Sequence, residues 1–460
     1  MARTRNELLA AVIAETGWSQ AQVAAHVVKV AAENGVQELQ SVSRSHIAMW
    51  ISGVQPERRA PHILCETLSR RLGRVVTLSQ LGLAPVDRAL PAASAWEVDT
   101  AVALVDLGDQ DMKRRSVLTA PAYSVAHAAL PPETWWDETR RTARDRQSVS
   151  RFTVTVAHVE SIREAARFFS RQDQRLGGGA SRAALDAFLR TDVAAYVAAR
   201  FPNDTVRRAL FSAAGELVYL GGWMAFDSGD HPTAQSRFTL ATKLAAEADD
   251  APLVGHVLRA AAHQAVDLGH PTVAVEFAEG SLARRRYTSA SPREKALLGV
   301  VHARALAIAG RKADALGALR RAEDDLRSAA AGDEEPERVF FFAEASLAHE
   351  TAATLRDLGD LKAAEAQFKR SVRTRSLPLA SRTHAVTLGY LGAVQARRGM
   401  IDVACETWTR ALDSMDGIQS GRTRDAVVQM RRSLSPVLQR GGGPARELDQ
   451  RARDVLRRIG

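Results

Sequence analysis

Residues 356–368 read RDLGDLKAAEAQF, and four other stretches share their pattern: FDSGDHPTAQSRF (226–238), VDLGHPTVAVEF (266–277), AIAGRKADALGAL (307–319) and ARRGMIDVACETW (396–408). Each contains a glycine (229, 269, 310, 359, 399), an alanine five residues on (234, 274, 315, 364, 404) and a large apolar residue eight or nine on (Phe238, Phe277, Leu319, Phe368, Trp408). A glycine reverses the chain through the left-handed region, and a small alanine lets two helices approach closely. The bulky residue then fills the space between neighbouring pairs. Stacked helix pairs of this kind bury one continuous core, so the pattern predicts an α-solenoid over 205–435.

The motif resembles the tetratricopeptide repeat. The glycines here are 40, 41, 49 and 40 residues apart, above that family's usual period of about 34. The excess lengthens helices or inter-repeat loops, as in SAAAGDEEPER (328–338). Such solenoids bind peptides, proteins or small ligands on a concave face. His256, His263, His302, His349 and His384 fall on the helices preceding the turns. With Arg259 and Arg304, they are read as scattered solvated residues or as a polar effector pocket, with Arg259, His263, His302 and Arg304 as its candidates. None shows the paired short spacing of a zinc site.

Composition agrees with helix throughout. Aromatics are 5% of the chain and apolar residues 46%, alanine is frequent and β-branched alternation is scarce. The fold class expected is all-α. At 460 residues the chain exceeds the size of a single growing core, and a small domain is expected before the repeats. That domain is placed at 1–83, with helices at 6–16, 19–32, from Ser43 and over 61–72. A proline-containing linker (84–94), a helical connecting region (95–204) and a basic C-terminal tail helix (436–460) complete the organisation.

Within the small domain, SRSHIAMWISGVQPERRAP (43–61) begins with a residue suited to capping a helix. Ile47, Trp50 and Ile51 then share one apolar side. Arg44, Ser45 and Met49 occupy the other, Gly53 ends the helix, and Arg58 and Arg59 follow. The net charge is +9, which favours a polyanionic partner without identifying one. Residues 43–74 carry six arginines against two glutamates, and residues 421–460 carry ten against four acids. Only the first patch is accompanied by an element able to read bases.

Ahead of it, GWSQAQVAAHV (17–27) and SRSHIAMW (43–50) together resemble the helix-turn-helix of the repressor and Cro type. That resemblance implies double-stranded DNA as partner. Gln20 would meet a phosphate, Arg44, Ser45 and Met49 would face bases, and Arg58 and Arg59 would meet phosphates. The segment VAAENGVQELQS (30–41) lengthens the usual turn, which implies either a longer second helix with a wing-like loop or a lost groove geometry. More widely, the N-terminal motifs, RFFSRQDQRLGGG (167–179) and ELVYLGGWMAFDSGDHPTAQSRFTLATKLAAEADD (216–250) resemble a family of actinomycete regulators that place a helix-turn-helix before a tetratricopeptide-like region. The resemblance implies transcriptional control of development or secondary metabolism, often repression, with an effector or protein partner on the repeats.

Several classes are disfavoured. Cys65 and Cys405 are too few for a disulfide framework or a zinc cluster and suit a reducing cytoplasm. No run is expected to span a membrane, and KRRSVLTA (113–120), which mimics a twin-arginine export signal, lies deep in the chain. The glycines at 177–179 lack the Lys-Ser/Thr of a phosphate loop, and those at 441–443 read as a linker. No nucleophile-elbow, zinc-protease or dinucleotide motif is present, so neither an enzyme nor a cofactor is expected. The expectation is a cytoplasmic, homodimeric DNA-binding regulator. The alternative is an interaction scaffold whose helix-turn-helix no longer reads DNA, which would have no reason to keep the basic loop at 55–59 exposed.

Overall fold

Helix follows helix from Glu7 to Ile459, and among the described residues the sole extended pairing is the bridge between Thr153 and Arg200. The computed structural model describes residues 4–83, 96–104, 123–125, 128–145, 152–329, 334–376, 380–438 and 443–459. The expected linker at 84–94 and KRRSVLTA lie outside them. The chain is all-α: a small four-helix unit followed by a solenoid of helix pairs.

The small unit comprises α1 (Glu7–Glu15), α2 (Gln20–Glu33), α3 (Arg44–Ile51) and α4 (Ala60–Leu72). Asn6 caps α1 by accepting the Leu9 N–H at 2.9 Å, and its amide reaches the Leu81 carbonyl at 2.8 Å. Ser19 and Gln22 cap α2 reciprocally, satisfying donors that the first helical turn leaves free. Leu9, Val23, Val27, Ile47, Trp50, Ile63 and Leu68 converge in one core. Gly53 stands where the N-terminal segment crosses the end of α3. Its φ is 101°, and a Cβ there would sit 2.1 Å from the Thr4 carbonyl oxygen, so only glycine fits.

Next come α5 (Glu133–Asp145), α6 (Val156–Leu176) and α7 (Arg182–Phe188). Val159, Ile162 and Phe169 of α6 share one core with the first repeat, so this part of the connecting region belongs physically to the solenoid. Six pairs follow: α8 (Asp204–Asp227) with α9 (His231–Glu247), α10 (Ala251–Leu268) with α11 (Pro271–Ser281), α12 (Pro292–Ile308) with α13 (Lys312–Ser328), α14 (Glu344–Asp357) with α15 (Leu361–Thr374), α16 (Ser381–Arg397) with α17 (Ile401–Asp413), and α18 (Gly421–Leu438) with α19 (Gly443–Ile459).

The first five pairs turn at the predicted glycines, whose φ values run from 76° to 87°. All five spaced alanines are fully buried, and Phe238, Phe277, Leu319, Phe368 and Trp408 are buried beside them. The wide interval between Gly310 and Gly359 is taken up between Ser328 and Glu344, where a short 3-10 turn replaces a helix.

The structure adds to two expectations. Within the basic tail helix expected at 436–460, the described helix α19 (Gly443–Ile459) packs on α17 and α18 and buries Ala445, Leu448, Ala452 and Val455. Its arginines are spent internally, as in Arg453–Asp449 at 2.7 Å and Arg451–Asp413 at 2.5 Å. In addition, α8 is by length and composition apolar enough to cross a membrane, with a mean hydropathy of 1.3, yet 78% of that window is buried inside the protein. It is the solenoid's central core helix.

The superhelix curls until its end meets its beginning. Gly179 donates its N–H to the Gln419 carbonyl at 3.0 Å, and a Cβ on Gly177 or Gly178 would lie within 2.5 Å of a backbone oxygen, that of Gln419 or Met224. The Gly177–Gly179 run therefore permits a close backbone crossing. Beside it, Arg382 of the fifth pair meets Asp227 at 2.7 Å and Asp173 at 3.1 Å. The inner helices thus enclose an interior.

Candidate functional site

The reading face comes first. Ser43 precedes α3, and its N–H donates to His46 Nδ1 at 3.2 Å, so His46 closes the cap of its own helix. Ile47 and Trp50 turn inward. Arg44, Ser45, Ala48 and Met49 remain exposed, Met49 at 43%. An exposed methionine in the middle of a short helix adds nothing to the fold. The lengthened connection is structured: α2 continues to Glu33, and Val36 and Leu39 of the following 3-10 turn are buried. Gln20 sits half-buried in the first turn of α2.

The two loop arginines separate. Arg58 is exposed and takes a left-handed conformation (φ 53°), which is uncommon for a residue with a side chain. Arg59 is half-buried and lines the cleft between this unit and the solenoid. Burial lowers its pKa against the pull of Glu38.

The unit is attached to the solenoid through α4 and the end of α2. Glu66, 1% exposed, receives Arg70 Nε at 2.8 Å and lies 2.7 Å from His270 Nε2 at the second repeat's turn. Its second oxygen accepts the Val125 N–H at 3.2 Å. Burial alone would raise the Glu66 pKa, but His270 and Arg70 outweigh it and hold the carboxyl below its ordinary value. Asn34 accepts the Tyr123 N–H at 2.8 Å, and the Tyr123 ring stacks on His270. Beside this contact a cleft of about 1430 Å³ opens between α2, α4, the first two turns and α18, with Lys29, Arg71, Arg424 and Arg432 in its wall.

The third feature is the solenoid interior. Arg259 on α10 and Arg304 on α12 are buried, as is His263. Arg304 Nη1 lies 2.8 Å from His263 Nε2, and the guanidinium pairs with Asp267 at 3.1 Å and Glu350 at 3.3 Å. Arg259 donates to the Tyr219 hydroxyl at 2.8 Å and lies over the Trp223 ring. His256 stands 3.2 Å from Glu294, which Arg338 also holds at 2.7 Å. Burial, then Arg259, pushes the His256 pKa down to about 4. Burial and neighbouring arginines likewise hold His263 and His349 well below the ordinary imidazole value. These histidines are neutral at pH 7.

The reading of them as scattered solvated residues therefore fails, since even half-buried His302 has both ring nitrogens shielded from solvent. His302 is half-buried among Glu279, Arg321, Arg311 and Asp314 of the outer helices, apart from the other three candidates. Sequence reasoning missed Trp223, Arg375, Arg382 and Arg422, which line the same interior, and Tyr219, which accepts from Arg259. No helical pattern marked the arginines: Arg375 follows α15, and Arg382 and Arg422 stand at the starts of α16 and α18.

Comparison with known proteins adds a family match at the N-terminus. Residues 9–84 match the family model described as the SP15 N-terminal domain. No curated protein matches the chain in sequence. Among solved structures, a Rap protein complexed with competence and sporulation factor is similar at 13% identity and a TM-score of 0.45. The alignment covers 80% of this chain and 96% of that one.

Proposed function

We propose that this chain is a DNA-binding transcriptional regulator whose helical repeats receive an effector or protein partner. The observation that carries the reading is the orientation of the small domain. It is held on the solenoid through Glu66 of α4 and Asn34 after α2, while Arg44, Ser45 and Met49 of α3 stay exposed. A helix that leaves a polar, basic face uncovered while its neighbours dock suits entry into a major groove, where arginine pairs bidentately with guanine. Arg58 on the adjoining loop suits a phosphate. Arg59, turned into the cleft, is better placed to sense the solenoid than to touch DNA.

On this reading the protein acts in the cytoplasm, without catalysis and as a homodimer, because two half-sites raise affinity and specificity beyond one small unit. Repression of development or secondary metabolism is the role that the actinomycete resemblance favours. An effector acts by binding more tightly to one arrangement of domain and solenoid than to another.

The test is recovery of fragmented host genomic DNA by the full chain at two salt concentrations, beside an Arg44→Ala/Arg58→Ala variant. A few discrete sites, bound with salt-sensitive affinity that the variant loses, support the reading. Absence of enrichment, with the variant indistinguishable from wild type, leaves the scaffold reading in its place.

A further inference from the structure

Two buried arginines of the interior are left, among the described residues, without a carboxylate partner at ion-pair distance. One cavity is lined by Arg259, Arg375, Arg382 and Arg422, together with His263, His349 and Glu350. Arg382 is paired with Asp173 and Asp227, and Arg422 approaches Asp267 at 3.9 Å. Arg259 and Arg375 form no ion pair with any carboxylate among the described residues. Arg259 hydrogen-bonds only the Tyr219 hydroxyl and His256 and lies over the Tyr219 and Trp223 rings, and Arg375 hydrogen-bonds the Ala345 carbonyl and the Ser371 hydroxyl. Both are at least nine-tenths buried, and the Nε of each lacks a partner.

A guanidinium taken out of water without a countercharge is costly. Burial, then the neighbouring Arg382, lowers the Arg375 pKa to about 10, although it stays charged at pH 7. The two histidines in the wall are neutral and bring no further charge. Trp223, Phe341 and Phe342 complete the wall with apolar surface. The cavity measures about 50 Å³, space for roughly three to five water-sized groups. That is the size of a compact anionic headgroup.

We propose that this cavity seats a carboxylate or phosphate group of a small effector, held between Arg259 and Arg375 with its body against Trp223 and the Phe341-Phe342 pair. The proposal rests on the effector-controlled reading above and names its ligand chemistry. The planar guanidinium forks of both residues match either anion in a bidentate manner. Stability is given up in the free protein, and the ligand restores it.

The experiment titrates the full chain with sodium phosphate and with sodium benzoate, against sodium chloride at matched ionic strength, following heat of binding and Tm. Wild type is compared with Arg259→Met, Arg375→Met and the charge-preserving Arg375→Lys. Saturable binding of at least one anion, with a Tm rise beyond the chloride control, is expected. Each methionine variant should lose at least tenfold in anion affinity while melting, without anion, at or above the wild-type temperature. Arg375→Lys should fold as wild type does and bind more weakly. Binding of phosphate alone identifies a phosphorylated effector, and binding of benzoate alone a carboxylate one.

No saturable binding by wild type, or unchanged affinity in the variants, overturns the proposal. So does a large drop in Tm of both methionine variants, because the arginines would then be structural. Genomic DNA affinity measured with and without the anion separates the two readings. Binding through Arg259 and Arg375 that leaves DNA affinity unchanged keeps the site and removes its regulatory role.

Discussion

At the scale of single residues, the most consequential finding is that polar side chains on the inner helices are buried and committed. Glu294 is 1% exposed on its side chain and holds both Arg338 and His256. Burial would raise its pKa, but Arg338 and His256 bring it down to about 2, while His256 itself is lowered to about 4. Both groups bind protons more weakly in the folded chain than in the unfolded one, so both stabilise the fold at neutral pH. Stability should be fully present above pH 6.5. It should fall first as His256 is forced to charge between pH 6.5 and 4, and again as Glu294 protonates between pH 4.5 and 2. Tm measured from pH 8 to 3 tests this, and a flat profile from pH 7 to 4 would refute it. Glu294→Gln should cost roughly 3 kcal/mol at pH 7, because buried Arg338 then keeps only Glu216 at 4.0 Å. Of the candidate residues, the exposure of Arg44, Ser45 and Met49 was legible because helical periodicity sorts an outer face from an inner one. That Arg59 lines the cleft and that His302 stands among Glu279, Arg311, Asp314 and Arg321 depend on neighbours distant in sequence, which periodicity within one helix does not reveal.

At the scale of the element, each helix pair is specified by a short code that acts locally. Gly359 has φ 87° with no atom within 4 Å of a Cβ placed on it. Its requirement is conformational alone. Gly359→Ala should therefore cost about 1–2 kcal/mol without altering helix content, as read by chemical denaturation and circular dichroism. Trp408 is different in kind. It is fully buried and its indole N–H donates to the Gly389 carbonyl at 3.1 Å. Trp408→Ala should cost about 3–5 kcal/mol through the cavity it leaves. A Gly359→Ala loss equal to that of Trp408→Ala would mean that the turn is packed more tightly than the structure shows. The period near 40 was legible, but whether helices or loops carry the excess was left open by the sequence.

At the scale of the molecule, the small domain and the solenoid are joined around buried Glu66, with Asn34 beside it. Glu66→Ala removes the group that ties His270, Arg70 and the Val125 N–H together. It should loosen the domain from the solenoid, increasing the radius of gyration in solution scattering while helix content stays the same. An unchanged radius would show that other contacts suffice. Closure of the superhelix, through Arg382 with Asp173 and Asp227 and through Gly179 with Gln419, is the second global feature. It turns a concave face into an interior and makes the charge between Arg259 and Arg375 expensive.

The sequence by itself determined the all-helical class, the five repeat turns and the outward face of α3, because glycine conformation, alanine spacing and helical periodicity are properties of a few consecutive residues. It did not determine that Gly443–Ile459 completes a sixth pair, that α6 joins the first repeat, or that Glu66 meets His270 across 204 residues. Those depend on how small rotations between successive pairs add up along the superhelix. Only the folded chain sums them, and only there do distant arginines and carboxylates meet in one low-dielectric interior.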